Sequence, residues 1–135
     1  MAFQLSQRSL QRLQGVHPDL VRVVRRAIEI SPVDFAVLEG LRTIERQKQL
    51  LASGATRTLN SRHITGHAVD LAPFLDVDGD GRGEVSWHWP HYHQLAPAMK
   101  RAAAELDVPI EWGGDWRSFK DGPHWQLPWA QYPAA

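Results

Sequence analysis

The amino-acid sequence predicts an α+β fold, with a small, mostly antiparallel sheet flanked by helices in one compact domain over residues 1–135. Two observations predict this class. Helical and strand-like segments alternate along the chain without the regular strand–helix–strand rhythm of a parallel sheet. The 43% apolar share of 135 residues also suits one globular core. We therefore expect a single domain without internal repeats.

The first predicted helix covers residues 17–30. Leu20, Val24 and Ile28 recur at helical spacing on one side of it, and Pro18 suits its first turn. The Ser31–Pro32 pair ends the helix, because a residue before proline avoids helical angles. Three arginines line the opposite side: Arg22, Arg25 and Arg26. We interpret them as a solvated face, with attraction to an anionic cell envelope as the alternative.

The next elements are separated by turn-forming and capping residues. A strand is predicted over residues 33–39 and ends at Gly40. Thr43 can cap a second helix that runs to residue 52. The polar segment 55–62 lacks periodicity and therefore predicts a loop.

The second half of the chain follows the same logic. A strand is predicted over residues 67–73, where Val69 and Leu71 share one face and Asp70 lies on the other. An acidic, glycine-rich loop follows at 76–84. A third helix is predicted over residues 90–106, and the apolar stretch 108–112 precedes a Gly-Gly turn.

The segment from Ser61 to Asp70 contains the densest group of chemically active side chains. His63 lies in a predicted turn, Gly66 lets the backbone fold back, and Asp70 lies on the following strand, so an imidazole and a carboxylate can converge on one cation. A catalytic zinc site typically uses three protein ligands. Because the chain has no cysteine, histidine, aspartate or glutamate must hold any metal.

A third ligand is available near the C-terminus, where Asp121 precedes His124 by three residues. His124 can complete the ligand set, while Asp121 can accept a proton from water without binding the metal. His67 is four residues after His63, but Gly66 disfavours the helix that a histidine pair at this spacing requires. We interpret His67 as a pocket residue.

These motifs resemble the zinc signature of the D-Ala-D-Ala carboxypeptidase and dipeptidase family. Within that family the chain is most similar to the small phage endolysins that cut the L-alanyl-D-glutamate bond of peptidoglycan. Four ordered blocks carry the resemblance: Asp34-Phe35 leading to Gly40-Leu41-Arg42-Thr43, then Ser61 to Asp70, Trp112-Gly113-Gly114-Asp115-Trp116, and Asp121-Gly122-Pro123-His124.

The resemblance implies a D,D-peptidase or hedgehog-like fold in which His63, Asp70 and His124 bind zinc and Asp121 is the catalytic acid/base. Zinc there would lower the pKa of water to about 7 and polarise the scissile carbonyl. Arg42 is implied to face the substrate, by pairing with a peptide carboxylate or by holding the developing oxyanion. A structural salt bridge is the alternative for Arg42.

Three further groups of residues keep two interpretations each. Ser61 would either donate a hydrogen bond to the peptide or only shape its turn. Asp115 would either orient a ligand histidine or cap the following turn. Four tryptophans are predicted to be core and pocket-wall residues, with a sugar-stacking platform as the alternative: Trp112, Trp116, Trp125 and Trp129.

The loop at 76–84 matches the first three quarters of an EF-type calcium loop. Asp76, Asp78 and Asp80 stand at positions 1, 3 and 5, and Glu84 stands at position 9. Position 12, where a bidentate glutamate belongs, is Trp87. We expect calcium binding here, with a solvated acidic turn as the alternative. Because the loop follows the strand that carries Asp70, calcium would order the zinc pocket.

The function implied by the resemblance is that of a phage-type endolysin: a zinc-dependent endopeptidase that hydrolyses the L-alanyl-D-glutamate bond of stem peptides and lyses the bacterial wall. One alternative is a D,D-carboxypeptidase acting on the same peptide. A catalytically silent metal-binding module of the same fold is another. The presence of Asp121 favours an enzyme.

Charge and hydropathy restrict the partners. The formal net charge is zero, and the arginines of the first helix lack interleaved aromatic residues, which argues against a nucleic-acid partner. No apolar run reaches the roughly 20 residues that span a bilayer. The N-terminus lacks the residue order of a signal peptide. We expect a monomer made in the host cytoplasm that reaches the wall through a membrane lesion made by a holin-like partner.

Overall fold

Four α-helices and five short β-strands form the described part of the chain, which in this computed structural model comprises residues 2–56, 58 and 61–133. The helices are α1 (Gln7–Arg12), α2 (Pro18–Ile30), α3 (Ile44–Ala52) and α4 (Trp89–Leu106). The strands are β1 (Phe35–Glu39), β2 (Ala68–Leu75), β3 (Glu84–Val85), β4 (Glu111–Trp112) and β5 (His124–Gln126). The predicted α+β class is confirmed. Of the predicted loop at 55–62, residues 57, 59 and 60 lie outside the described residues.

The sheet is antiparallel, with strand order β1–β2–β5–β4 and β3 paired to the end of β2. Its central strand, β2, places Asp70 opposite Glu39 of β1 on one side and opposite His124 of β5 on the other. This register sets three ionisable side chains side by side across neighbouring strands.

The core lies between the helices and the sheet. Leu20 and Val24 of α2 and Met99 of α4 are completely buried. Val69 and Leu71 of β2 belong to the same core. Because side chains alternate along a strand, Asp70 between them points to the opposite face of the sheet. The helices therefore support the sheet from one side and leave the face that carries Asp70 available for a site.

The three predicted helices are confirmed, and so is the Thr43 cap. His17 precedes α2, and its Nδ1 accepts a hydrogen bond from the Asp19 N–H at 3.1 Å. Thr43 caps α3 by accepting from the Arg46 N–H, also at 3.1 Å. Arg22 and Arg25 of α2 are exposed and Arg26 is partly exposed, and Arg22 and Arg26 pair with Asp19 and Glu105 at 3.0 and 2.7 Å, which agrees with the interpretation as a solvated face.

Sequence reasoning missed α1 and β5. The six residues of α1 are too few to show a helical period; the helix is capped by Ser6, and the buried Ser9 accepts a hydrogen bond from the Val37 N–H at 2.9 Å. The three residues of β5 are likewise too few for an alternation pattern. No helix in the described ranges has the length and apolar character needed to cross a membrane.

Candidate metal centre and cleft

Two imidazoles converge on one carboxylate oxygen at the open face of the sheet. His63 Nε2 lies 3.2 Å from Asp70 Oδ1, and His124 Nδ1 lies 3.4 Å from the same oxygen. The two rings meet edge to face, with centroids 5.1 Å apart. Both histidines are buried, while the Asp70 side chain keeps one fifth of its surface exposed. The structure thus brings together the three side chains that the sequence analysis named as ligands.

Strand register and one tight turn produce this convergence. Asp70 and His124 are directly opposed on β2 and β5. His63 lies in the turn before β2. This turn ends at Gly66, whose φ is 79°. A Cβ atom at Gly66 would collide with the carbonyl oxygen of Gly15, and the Gly66 carbonyl accepts a hydrogen bond from the His17 N–H at 2.8 Å. Glycine is required here both for its backbone angle and for this close approach.

Each histidine uses its outer ring nitrogen to donate a hydrogen bond. His63 donates from Nδ1 to the carbonyl oxygen of Gly40 at 2.8 Å, and His124 donates from Nε2 to Gln126 Oε1 at 2.7 Å. Gln126 in turn donates from its amide nitrogen to Glu111 at 3.3 Å, which fixes the amide orientation. These bonds place the ring protons on the outside, so a lone pair of each imidazole faces Asp70.

This donor set fits a divalent metal such as zinc. Two neutral imidazole nitrogens and a carboxylate oxygen, with all three ligand atoms within 4.8 Å of one another, present lone pairs to one point. Lone pairs that face each other repel unless a cation or a proton lies between them. Imidazole and carboxylate are the ligand types that zinc accepts when no thiolate is available.

The protein's own charges hold Asp70 ionised. When no metal is bound and the imidazoles carry a second proton on the inner nitrogen, burial raises the pKa of Asp70, but hydrogen bonds from His124 and His63 and their positive charges outweigh burial and hold the pKa well below its usual range. For His124, burial lowers the pKa, whereas the hydrogen bond and charge of Asp70 outweigh that effect and raise it. A carboxylate that stays charged when buried is a strong point of attraction for a cation.

Asp121 lies beside this group on the short segment between β4 and β5. Its N–H donates to the Gly113 carbonyl at 3.0 Å, and its own carbonyl accepts from the His124 N–H at 3.2 Å. A Cβ atom at Gly113 would collide with the Asp121 carbonyl, so the glycine permits this packing. Burial, followed by repulsion from Asp70, raises the pKa of the Asp121 carboxyl. Raised proton affinity is typical of a general base.

Arg42 lines the same cleft, but its guanidinium already has protein acceptors. Nε and Nη2 donate to the two carboxylate oxygens of Glu39 at 2.7 and 3.1 Å, and Nη1 donates to Gln47 Oε1 at 2.8 Å. Nη2 also lies 3.7 Å from Asp70 Oδ2. The structural salt bridge that we considered for Arg42 is therefore present. Contact with the substrate stays a prediction, and Nη1 retains a second N–H for it.

Ser61 lies at the site, whereas Asp115 does not take part in it. Ser61 lines the cleft, and its Oγ accepts from the His63 N–H at 3.2 Å, so it shapes the turn; donation to a peptide stays a prediction. Asp115 forms an exposed ion pair with Lys100 at 2.8 Å, and neither role expected for it is seen. Gln126, not Asp115, accepts the outer proton of His124.

The tryptophans are core and pocket-wall residues, as predicted. Trp112 and Trp125 are buried and stack on each other with centroids 5.5 Å apart. Trp116 and Trp129 line the cleft. Trp129 also stacks on the guanidinium of Arg62, which lies 4.1 Å from its ring centroid.

Sequence reasoning missed three polar residues that build the site. Arg62 is 2% exposed and donates to the carbonyls of Leu127 and Tyr132 at 2.9 and 2.6 Å. Gln47 is completely buried and connects Arg42 to the Thr58 carbonyl. The sequence did contain a signal for Gln126: on a strand, a residue two positions after His124 lies on the same face as His124. Arg62 and Gln47 gave none, because such side chains are usually exposed.

The acidic loop brings three of its four predicted ligands together. Asp76, Asp78 and Asp80 place carboxylate oxygens within 4.8 Å of one another, and Glu84 lies outside that group. Asp76 accepts hydrogen bonds from the loop's own N–H groups, including Gly79 at 2.8 Å and Gly81 at 2.9 Å. The same hydrogen bonds would form in a solvated acidic turn, which was the alternative interpretation of this loop.

All the proposed catalytic groups open onto one cleft with a volume of about 810 Å³. It contains Arg42, Ser61, His63, Asp70, Asp121 and His124. A cleft of this size takes a peptide of a few residues. The cleft therefore combines a group of side chains that could hold a metal ion, a carboxyl group with a raised pKa and an arginine.

The chain is similar to known L-alanyl-D-glutamate peptidases. A family model described as phage L-alanyl-D-glutamate peptidase matches residues 1–126. The L-alanyl-D-glutamate peptidase of Escherichia phage T5 is 33% identical over 125 residues, which cover 90% of this chain and 87% of that protein. The peptidoglycan L-alanyl-D-glutamate endopeptidase CwlK of Bacillus subtilis is 26% identical, with 90% and 81% of the two chains covered. The crystal structure of the L-Ala D-Glu endopeptidase ChiX of Serratia marcescens superposes with a TM-score of 0.88 at 48% identity, covering 98% of this chain and 96% of that one.

Proposed function

The chain belongs to the phage L-alanyl-D-glutamate peptidase family, and we propose on this premise that it is a zinc-dependent endopeptidase that hydrolyses the L-alanyl-D-glutamate bond of peptidoglycan. The observation that carries the proposal is the convergence of His63, Asp70 and His124 in the cleft that also contains Asp121. As a phage-type endolysin, the protein would act as a monomer on the bacterial wall after a holin-like partner has opened the membrane.

His63, Asp70 and His124 would hold the zinc ion. Bound zinc supplies a Lewis acid that polarises a carbonyl and makes water a nucleophile at neutral pH. The chain's contribution is to present the correct nitrogen of each imidazole. The Gly40 carbonyl and the Gln126 side chain do so by accepting the outer ring protons. Such outer hydrogen bonds orient metal-binding histidines and increase their basicity.

Asp121 would move the proton. Its carboxylate accepts a proton from the attacking water, and the same oxygen then returns that proton to the departing amine of D-glutamate. The raised pKa of Asp121, caused by burial and by the Asp70 charge, favours the first transfer. General acid–base catalysis of this kind typically contributes a factor of about 10² to 10⁴ in rate.

Arg42 would stabilise the negative charge that develops on the scissile carbonyl oxygen. Glu39 and Gln47 fix the plane of the guanidinium, so little orientational freedom is lost during the reaction. Pairing with a substrate carboxylate, the other role expected for Arg42, fits less well because Glu39 already neutralises the guanidinium in a bidentate pair. Ser61 would donate its hydroxyl proton to the peptide backbone.

A second metal site is proposed for calcium at the acidic loop. The clustering of Asp76, Asp78 and Asp80 supports it. Glu84 would join them only after a movement, and repulsion from Asp78 raises the pKa of Glu84 in the metal-free loop. Calcium calorimetry tests this assignment, and an absence of binding heat would contradict it.

Digestion of purified peptidoglycan, followed by mass spectrometry of the soluble products, tests the proposed function. The proposal predicts peptides with a new N-terminal D-glutamate and glycan fragments that end in L-alanine. Loss of a single terminal alanine would instead indicate a D,D-carboxypeptidase. Absence of any product from zinc-loaded protein would indicate a catalytically silent metal-binding module.

A further inference from the structure

The cleft has an uneven distribution of charge. Within the described ranges its lining includes three carboxylates, Glu39, Asp70 and Asp121, and three cations. Two of the cations are committed to the protein. Arg42 pairs with Glu39 and lies 3.7 Å from Asp70, and Arg62 is buried with its donors directed at backbone carbonyl oxygens.

Lys120 is the third cation, and it is placed differently. Its side chain is exposed at the cleft, and its Nζ donates to the carbonyl oxygen of Gly114 at 3.2 Å. Gly114 follows Gly113, which packs against Asp121 and His124, so this bond ties the ammonium to the segment that supports the candidate metal centre. Lys120 differs from Arg42 in that no ion pair with a carboxylate is seen for it among the described residues, and from Arg62 in that its side chain is exposed.

The backbone around Lys120 directs it to the same wall as Asp121. Phe119 adopts a left-handed conformation with φ of 53°, which side chains other than glycine rarely occupy. Ser118, Phe119, Lys120 and Asp121 all line the cleft. The sharp bend at Phe119 lets these consecutive residues face a single cavity. Sparsely populated backbone angles of this kind occur preferentially at functional sites.

We propose that Lys120 binds the free carboxylate of the D-glutamate residue on the leaving side of the scissile bond. This inference rests on the proposed function. Glutamate has two carboxyl groups, and only one continues the peptide. When the side-chain carboxyl continues it, the free α-carboxylate and the departing amine share one carbon atom. Asp121 protonates that amine, so the adjacent Lys120 meets the carboxylate beside it.

The charges of the cleft also favour such a partner. Asp121 repels a substrate carboxylate that enters beside it, and a cation facing that carboxylate offsets the repulsion. An ammonium supplies both the charge and three donors, and Ser118, which also lines the cleft, offers a hydroxyl. The site would therefore distinguish D-glutamate from its α-carboxamide, which has the same shape without the charge.

Two matched peptides test this inference. Both are N-acetyl-L-alanyl-D-glutamyl-lysine, joined through the side-chain carboxyl of glutamate; one has a free α-carboxylate and the other an α-carboxamide. The zinc-loaded wild-type protein is expected to cleave the carboxylate peptide with kcat/KM about 10- to 100-fold higher, the range of one charge-assisted hydrogen bond. Lys120→Gln should lower kcat/KM for this peptide by a similar factor and leave that for the carboxamide within about twofold. Lys120→Arg should keep most of the preference.

Arg117→Gln is the matched control, because Arg117 is an exposed cation three residues from Gly114 that does not line the cleft. It removes the same charge and should leave the preference unchanged. Equal cleavage of both peptides by the wild-type protein would overturn the inference while leaving the proposed function intact. So would an equal loss on both peptides in Lys120→Gln with full zinc content. Cleavage of neither peptide nor of peptidoglycan by the wild-type protein would overturn the proposed function itself.

Discussion

His124 donates a hydrogen bond from Nε2 to Oε1 of Gln126, 2.7 Å away on the same face of β5. The bond fixes which nitrogen of His124 faces Asp70. Gln126 is itself fixed, since its amide donates to Glu111. The candidate metal centre is thus supported by a chain of side chains that extends from β5 to the neighbouring strand β4.

Replacing Gln126 should weaken metal binding without removing a ligand. Gln126→Leu takes away the acceptor for the outer proton of His124, so the imidazole can rotate or change tautomer. We expect zinc affinity to fall by about 10- to 100-fold, the usual effect of losing such a hydrogen bond. Competition with a chromophoric chelator measures it. Gln49→Leu, at an exposed position of α3, is the control, and equal affinities in the two variants would contradict the supporting role of Gln126.

Asp121→Asn separates metal binding from catalysis. The amide is nearly the same size but cannot accept a proton from water. Zinc content should stay at the wild-type level, while kcat should fall by about 10² to 10⁴. Elemental analysis and peptidoglycan turnover on the same sample measure both quantities. Turnover near the wild-type rate would remove Asp121 from the mechanism.

Arg62→Met should destabilise the fold. Arg62 is buried and donates to the carbonyls of Leu127, Pro128 and Tyr132, which would be left without that donor. We expect the free energy of unfolding to fall by about 2–4 kcal/mol. Urea denaturation of the metal-free protein measures it, with Arg117→Met at an exposed position as the control. A loss under about 0.5 kcal/mol, the size of an ordinary surface effect, would show that Arg62 does not anchor the C-terminal segment.

Tyr132→Phe should give a stability loss that depends on pH. Tyr132 donates to Asp19 Oδ2 at 2.7 Å, and this bond, with a second from Arg22, lowers the pKa of Asp19. A carboxyl with a lowered folded-state pKa contributes stability above its unfolded pKa and loses it as pH falls through the folded value. The substitution should therefore cost about 0.5–1 kcal/mol near about pH 6 and less near about pH 3.

Tyr92→Phe is the matched control for that experiment. Tyr92 donates to the Ser86 backbone carbonyl at 2.7 Å, and burial raises its pKa to about 12. Neither the tyrosine hydroxyl nor the backbone carbonyl titrates between acid and neutral pH. The stability loss caused by Tyr92→Phe should therefore be constant over this range. Parallel pH profiles for the two variants, measured by urea denaturation, would refute the assignment to Asp19.

The sequence allowed the candidate metal ligands to be named because their residue types are rare in combination and their spacing is ordered. Structural roles alone seldom explain the presence of His63, Asp70 and His124 in one ordered pattern. The amphipathic period of α2 and the Thr43 cap of α3 are likewise local signals. Such features depend on neighbours within a few residues of the chain.

Features that depend on distant contacts could not be predicted. Arg62 is separated by 65 residues from the Leu127 carbonyl that it binds, and nothing in its neighbourhood marks it as buried. The placement of Glu39 opposite Asp70, next to a register shift between β1 and β2, likewise depends on the pairing of strands that are distant in the chain. Strand register is set by the packing of the whole sheet, which a short sequence window does not contain.

Removal and restoration of zinc tests the central claim most directly. The chelated protein, the zinc-restored protein and a zinc-treated His63→Ala variant are each assayed for bound zinc and for release of peptides with N-terminal D-glutamate. We predict one zinc per restored chain, with activity lost on chelation, regained in proportion to bound zinc, and absent together with the metal in His63→Ala. Full activity in the chelated protein, or stoichiometric zinc in His63→Ala, would contradict the account.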